Sequence, residues 1–123
     1  MQTGNLYLIH WHPGEAEALA QPLREQGWSV RIEAEDGARA YRETGAEVPD
    51  VVVVYLTRRP SHGRETALTL RQRKSTRDVP ILFVGGSPED AEKVRQKLPD
   101  ARFLVETDLP AALRAAHPPS AVG

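Results

Sequence analysis

Three clusters hold the residue types that do chemistry: His10-Trp11-His12, the segment from Tyr55 to Arg64, and Gly85-Gly86-Ser87. His10 and His12 are two apart, so a strand continuing through them would show both on one face. With His62 they make three imidazoles, a set chemically able to hold zinc. No carboxylate is placed as a fourth ligand, and no metal is expected. Arg58, Arg59, Ser61, His62 and Arg64 crowd one segment, and guanidinium forks suit tetrahedral oxyanions. Gly86 lets a backbone approach a ligand closely, and Ser87 starts a helix whose first amides favour anions. These seven residues form a candidate site for a phosphate, a nucleotide or a partner's carboxylate. The competing reading is that the basic side chains pair with Glu15, Glu65 or Glu89.

Other chemistries find little support. Adjacent side chains such as Ser61 and His62 rarely aim at one atom, so they are no nucleophile–base pair. Gly85-Gly86-Ser87 lacks the lysine and the spacing of a phosphate-binding Walker loop. Trp11 and Tyr55 have the rings to stack a base, but such residues more often fill core volume. No catalytic residue and no cofactor are expected.

A chain of 123 residues is long enough for one domain with one sizeable core. Its net charge of −1 supplies no global field to recruit nucleic acid or an acidic membrane surface. No apolar run approaches the roughly 20 residues that span a bilayer. The start, Met1-Gln2-Thr3-Gly4, lacks the basic and apolar regions of a signal peptide. Cysteine is absent, which removes disulfides, thiolate metal sites and thiol nucleophiles. A cytoplasmic location is the expectation.

The elements that must position these residues alternate. The run Val51-Val52-Val53-Val54-Tyr55-Leu56 is apolar on both side-chain parities, as a strand buried on both faces must be. Around that third strand, over 49–56, strands are predicted over 5–10, 28–32, 79–84 and 102–105. Helices are predicted over 13–26, 36–44, 61–74, from Ser87 to about Leu98, and over 108–116. Pro22 lies inside the first helical pattern and should kink or loosen it. Asp36 and Ser61 are candidate caps, and Ser87-Pro88-Glu89-Asp90 is a capping-box pattern with proline at the first helical position. The strand–helix alternation predicts right-handed crossovers and a parallel sheet between two helical layers. The fold class is therefore α/β, a flavodoxin-like (βα)5 sandwich of strand order 2-1-3-4-5. Flavin binding is not expected, because Trp11-His12-Pro13-Gly14 replaces a hydroxyl-rich phosphate loop after the first strand. The domain is placed at 1–116, with 117–123 as a flexible tail.

From Asn5 to Ala116 the chain resembles the receiver domains of bacterial two-component response regulators. Leu6-Tyr7-Leu8-Ile9 resembles the family's apolar first strand. Pro49-Asp50-Val51-Val52-Val53-Val54 resembles its third strand, and Gly63 stands eight residues after Tyr55, where receivers often have glycine. Val79-Pro80-Ile81-Leu82-Phe83-Val84 resembles the fourth strand.

The resemblance implies a phosphorylation site that this chain does not spell. In receivers an acidic pair follows the first strand; here His10-Trp11 does. Tyr55 stands at the phospho-accepting aspartate, Gly85 at the switch Ser/Thr, and Glu106 at the lysine ending the fifth strand. The loop proline is displaced by one, to Pro60. Acids must hold Mg²⁺ and a carboxylate must attack phosphorus, so the expectation is a pseudo-receiver, a non-enzyme that signals through protein contacts. Its implied interaction face lies on the fourth helix, fifth strand and fifth helix, with Val94, Leu98, Leu109 and Leu113. Protein partners or a second copy of the chain would cover it; nucleic acid and membrane are not expected partners.

Overall fold

The β-branched run that reads as a doubly buried strand lies at the centre of a five-stranded parallel sheet. The computed structural model describes residues 4–117. Strand β3, Val51–Tyr55, is buried at every residue. It lies between β1, Gly4–Ile9, and β4, Ile81–Val84. Strands β2, Trp28–Glu33, and β5, Arg102–Leu104, form the edges, giving the order 2-1-3-4-5. Leu6 to Ile9 run in register with Val51 to Val54, and Val52 to Tyr55 with Ile81 to Val84.

Side-chain alternation divides the core into two layers. Leu6, Leu8, Val51, Val53, Tyr55, Leu82 and Val84 face helices α1, Pro13–Glu25, and α5, Leu109–Ala116. Tyr7, Ile9, Trp11, Val52, Val54 and Phe83 face α2, Gly37–Ala46, α3, Pro60–Gln72, and α4, Pro88–Lys97. Each such aliphatic side chain is worth roughly 1.5–3 kcal/mol when fully buried. No helix among the described residues is long and apolar enough to cross a membrane.

Local chemistry sets the helix ends. Asp36 caps α2 by accepting the Ala38 amide. Ser87 and Asp90 form a reciprocal capping box on α4. Helix α3 differs from expectation. It starts at Pro60, whose ring fixes a helical φ, and its cap is Arg59 in the left-handed region at φ 47° with no capping side-chain bond. Ser61 lies inside the first turn. Helix α1 continues through Pro22. A single 3-10 turn, Glu106–Asp108, precedes α5, so Asp108 makes no capping bond.

The edge strand β2 is closed off by a buried carboxylate. Glu33 accepts hydrogen bonds from the Glu35 and Asp36 amides and from the Arg39 guanidinium. Burial pushes its pKa up, but these donors more than offset that and hold it below the usual carboxylate value.

Two expectations change at the chain's end. Leu109 and Leu113 were placed on an outer interaction face, yet both are core residues under α5, and Val94 is buried under α4. Leu98 is half-buried against the same layer as Val94. These helices are short, so their few apolar residues are consumed by the sheet beneath them. His117, placed in the tail, donates its amide to Leu113 O at 2.9 Å and sets its ring against Trp28. The rest of the expected tail, 118–123, lies outside the described residues.

Candidate functional site

The carboxyl ends of β1, β3 and β4 converge at the place where parallel sheets gather their chemistry. His10 follows β1 on the α1/α5 side, and Tyr55 ends β3 on the same side. Their rings meet edge-on with centroids 5.1 Å apart. Tyr55 is only 3% exposed. Burial, reinforced by the charge of Glu106, raises its phenol pKa well above the ordinary value, so it stays protonated.

Glu15 organises this corner. It sits in the first turn of α1, which His12 starts: the His12 Nδ1 accepts the Glu15 amide at 3.1 Å. The Glu15 side chain turns back to the sheet, where Oε1 lies 3.0 Å from His10 Nε2. Arg58, from the loop after β3, grips both carboxylate oxygens, with Nε to Oε1 at 3.2 Å and NH2 to Oε2. Arg58 first, and then His10, pull the Glu15 pKa down to about 2. His10, Glu15, Ala18, Leu19, Tyr55, Thr57 and Glu106 enclose a cleft of about 240 Å³.

The candidate anion residues are not gathered into one site. Arg58 is spent on Glu15. Arg59 is exposed, and Arg64 is half-buried on α3. His62 packs edge-on against Trp11 with centroids 4.7 Å apart, in the opposite layer from His10. Ser61 lies in the first turn of α3. At α4 the Ser87 amide is taken by the Asp90 carboxylate at 3.0 Å, leaving that helix start with an anion of its own. Gly85 and Gly86 have a conformational reason: φ is +74° and +83°, and a Cβ at either would fall 2.6–2.7 Å from Thr57 or Leu56 side-chain atoms. The strand-end corner, where an anion was expected to bind, therefore holds two carboxylates, Glu15 and Glu106.

The three imidazoles also separate. His10 faces Tyr55 and Glu15, His12 caps α1, and His62 lies beside Trp11. Among the described residues no group of three His, Cys, Asp or Glu is placed to hold a metal ion.

Sequence reasoning named Glu15 as a partner for the basic residues, which Arg58 bears out, but did not place it against His10. Its signal was present: the third residue of a helix that begins just after β1 lies beside the strand ends. A larger groove of about 690 Å³ runs between α2 and α3, and His62 is the one candidate residue lining it.

Solved structures share this architecture across nearly the whole chain. A two-component response regulator of the LuxR family from Aurantimonas matches 94% of this chain and 89% of its own, with TM-score 0.72 and 23% identity. A chemotaxis protein of Vibrio cholerae matches 93% and 98%, with TM-score 0.77 and 18% identity. The chain has the receiver fold. The receiver domain of a sensor histidine kinase from Pseudomonas aeruginosa, solved with magnesium in its active-site cleft, matches 91% and 95%, with TM-score 0.77 and 20% identity. At the level of sequence, no protein-family profile and no curated protein matches. In this fold Tyr55 ends β3 and Glu106 lies in the turn after β5.

Proposed function

We propose that this chain is a receiver-like signalling module that takes no phosphoryl group and acts by protein contact. The observation that carries the reading is Tyr55, a buried, protonated phenol at the end of β3 where the resemblance places an aspartate. A phenol so held is a poor nucleophile toward phosphorus. His10 and Trp11 supply no oxygen ligands for Mg²⁺, and Glu15 is fully engaged by Arg58 and His10.

The contact surface in this reading is the edge beside β5, in the setting of a bacterial two-component pathway in the cytoplasm. There Val105 is 61% exposed. It borders a depression of about 420 Å³ that includes Gly85, Ala91, Phe103 and Asp108. A solvent-facing valine next to a half-buried Phe103 is a small apolar patch suited to a partner. Val105 and Phe103 thus replace the buried Val94, Leu109 and Leu113 as its centre.

Incubation with acetyl phosphate and Mg²⁺ tests the chemical half. No hydroxylamine-labile phosphoryl adduct is expected by intact-mass measurement. An adduct mapped to any carboxylate of the chain overturns the reading. The contact half is tested by capture of partners from the native organism with wild type and with Val105→Lys, whose binding should fall while its melting point holds.

A further inference from the structure

We propose that a cavity under the carboxyl-terminal end of α4 binds an aromatic carboxamide, a planar ring carrying a primary amide. The cavity lies at the amino ends of β4 and β5, the far end of the sheet from Tyr55. The inference therefore does not rest on the signalling reading.

The walls fit one ring. Ile81, Phe83, Leu98, Pro99 and Ala101 enclose about 160 Å³, and Arg71 and Asp100 complete the lining. Ile81 and Phe83 are core residues, and Leu98 and Ala101 pack against the same layer. The turn that carries the outer wall is closed by the Ala101 amide on Leu98 O at 3.0 Å, so the cavity is pre-formed. An apolar cavity of roughly 150 Å³ lined by such side chains admits benzene. This one takes a six-membered ring with a small head and excludes a nucleotide.

Two polar groups on the lining define the head. Arg71, near the end of α3, donates from NH1 to the carbonyls of Arg77 and Val79 at 2.8 and 2.6 Å. Those bonds orient the guanidinium. Its Nε and NH2, the edge that grips a planar acceptor, have no acceptor among the described residues, and neither is sealed from solvent. Burial pulls the Arg71 pKa below the ordinary value, against Asp78 and Asp100, which act on it by charge without forming an ion pair. The cation thus has two carboxylates to balance its charge and lacks only hydrogen-bond acceptors. A neutral carbonyl oxygen meets that need, whereas a further anion would be repelled by both acids. Asp100 is exposed, and among the described residues its carboxylate accepts no hydrogen bond. It can take the N–H that the same amide carries. One carboxamide presents an acceptor to Arg71 and a donor to Asp100 while its ring fills the apolar walls. An amine in its place would set a second cation beside Arg71.

Benzamide titrated at constant ionic strength, followed by backbone amide NMR, tests the proposal. Saturable shifts are expected at Ile81, Leu98 and Ala101. Benzoate, benzylamine and toluene should each bind on the order of tenfold more weakly, because each fails one or both hydrogen bonds. Ala101→Leu should abolish binding by filling the cavity. Asp100→Ala should weaken benzamide and tighten benzoate, so that the ratio of their affinities falls by roughly tenfold. Asp100 is exposed, so that variant should fold and tests the head group independently of Ala101→Leu. Absence of a saturable benzamide shift overturns the proposal. So does an affinity for benzoate, benzylamine or toluene that equals that for benzamide, an undiminished shift in folded Ala101→Leu, or an unchanged ratio in Asp100→Ala. None of these outcomes bears on the acetyl phosphate assay, so the two readings fail separately.

Discussion

Tyr55 and His10 meet edge-on, with ring planes at 68° and centroids 5.1 Å apart, closing the strand-end corner from the α1/α5 side. The phenol and the imidazole fill the end of β3 together, and both are almost wholly buried. Removing the ring would therefore open a cavity without creating a working site.

Tyr55→Asp should cost on the order of 3 kcal/mol in stability, the usual range for deleting a buried aromatic ring. It should gain no phosphorylation, since His10, Glu106 and an engaged Glu15 remain around it. Urea denaturation and intact mass after acetyl phosphate treatment check the two halves. A variant that is stable and readily phosphorylated contradicts the account of this corner.

The buried Glu33 gives the fold a specific acid sensitivity. Its folded-state pKa lies below the ordinary carboxylate value, so its contribution is fully present above the unfolded pKa. That contribution disappears as pH falls through the lower folded value. Glu33→Ala should cost on the order of 3 kcal/mol near neutral pH, because it strands two amides and a guanidinium. The difference between wild type and variant should shrink as pH falls below the ordinary carboxylate range. Arg39→Ala should cost less, because Arg39 is half-exposed and both amides still hold the carboxylate. Denaturation at a series of pH values measures all three.

Leu113 separates core from contact surface. Leu113→Ala should lower stability by about 2–5 kcal/mol, as buried leucines do. Val105→Ala should change stability by less than about 0.5 kcal/mol, as exposed substitutions do. Thermal melts of the two variants suffice, and equal small effects would return Leu113 to the surface.

Gly63 lies against the sheet at the start of α3, where an added Cβ would stand 2.9 Å from Val54 Cγ1. Gly63→Ala should cost about 1–3 kcal/mol through overpacking. It should leave the Trp11–His62 contact in place, because the same Cβ would make only an ordinary contact, 3.6 Å, with the Trp11 Nε1. Trp11 fluorescence together with denaturant midpoints reads both outcomes.

Much of the architecture was legible before any coordinates. The unbroken run from Val51 to Leu56 demanded a doubly covered strand, and the alternating elements implied crossovers and fitted the order 2-1-3-4-5. Tyr55 at the end of that run is the residue from which the proposal of a non-phosphorylated module starts. These conclusions rest on periodicity and local stereochemistry, which a linear chain displays directly. What Arg58, Glu15, Leu109 and Leu113 do was decided only in three dimensions. Arg58 and Glu15 are 43 residues apart, and their pairing follows from α1 and the β3–α3 loop meeting over one corner. Leu109 and Leu113 repeat at a helical spacing that describes an apolar stripe without saying what covers it. The sheet's α1 side, left open by one helix, decided that it covers them. A side chain's partner depends on which elements compete for it in space, and spacing along the chain carries no record of that competition.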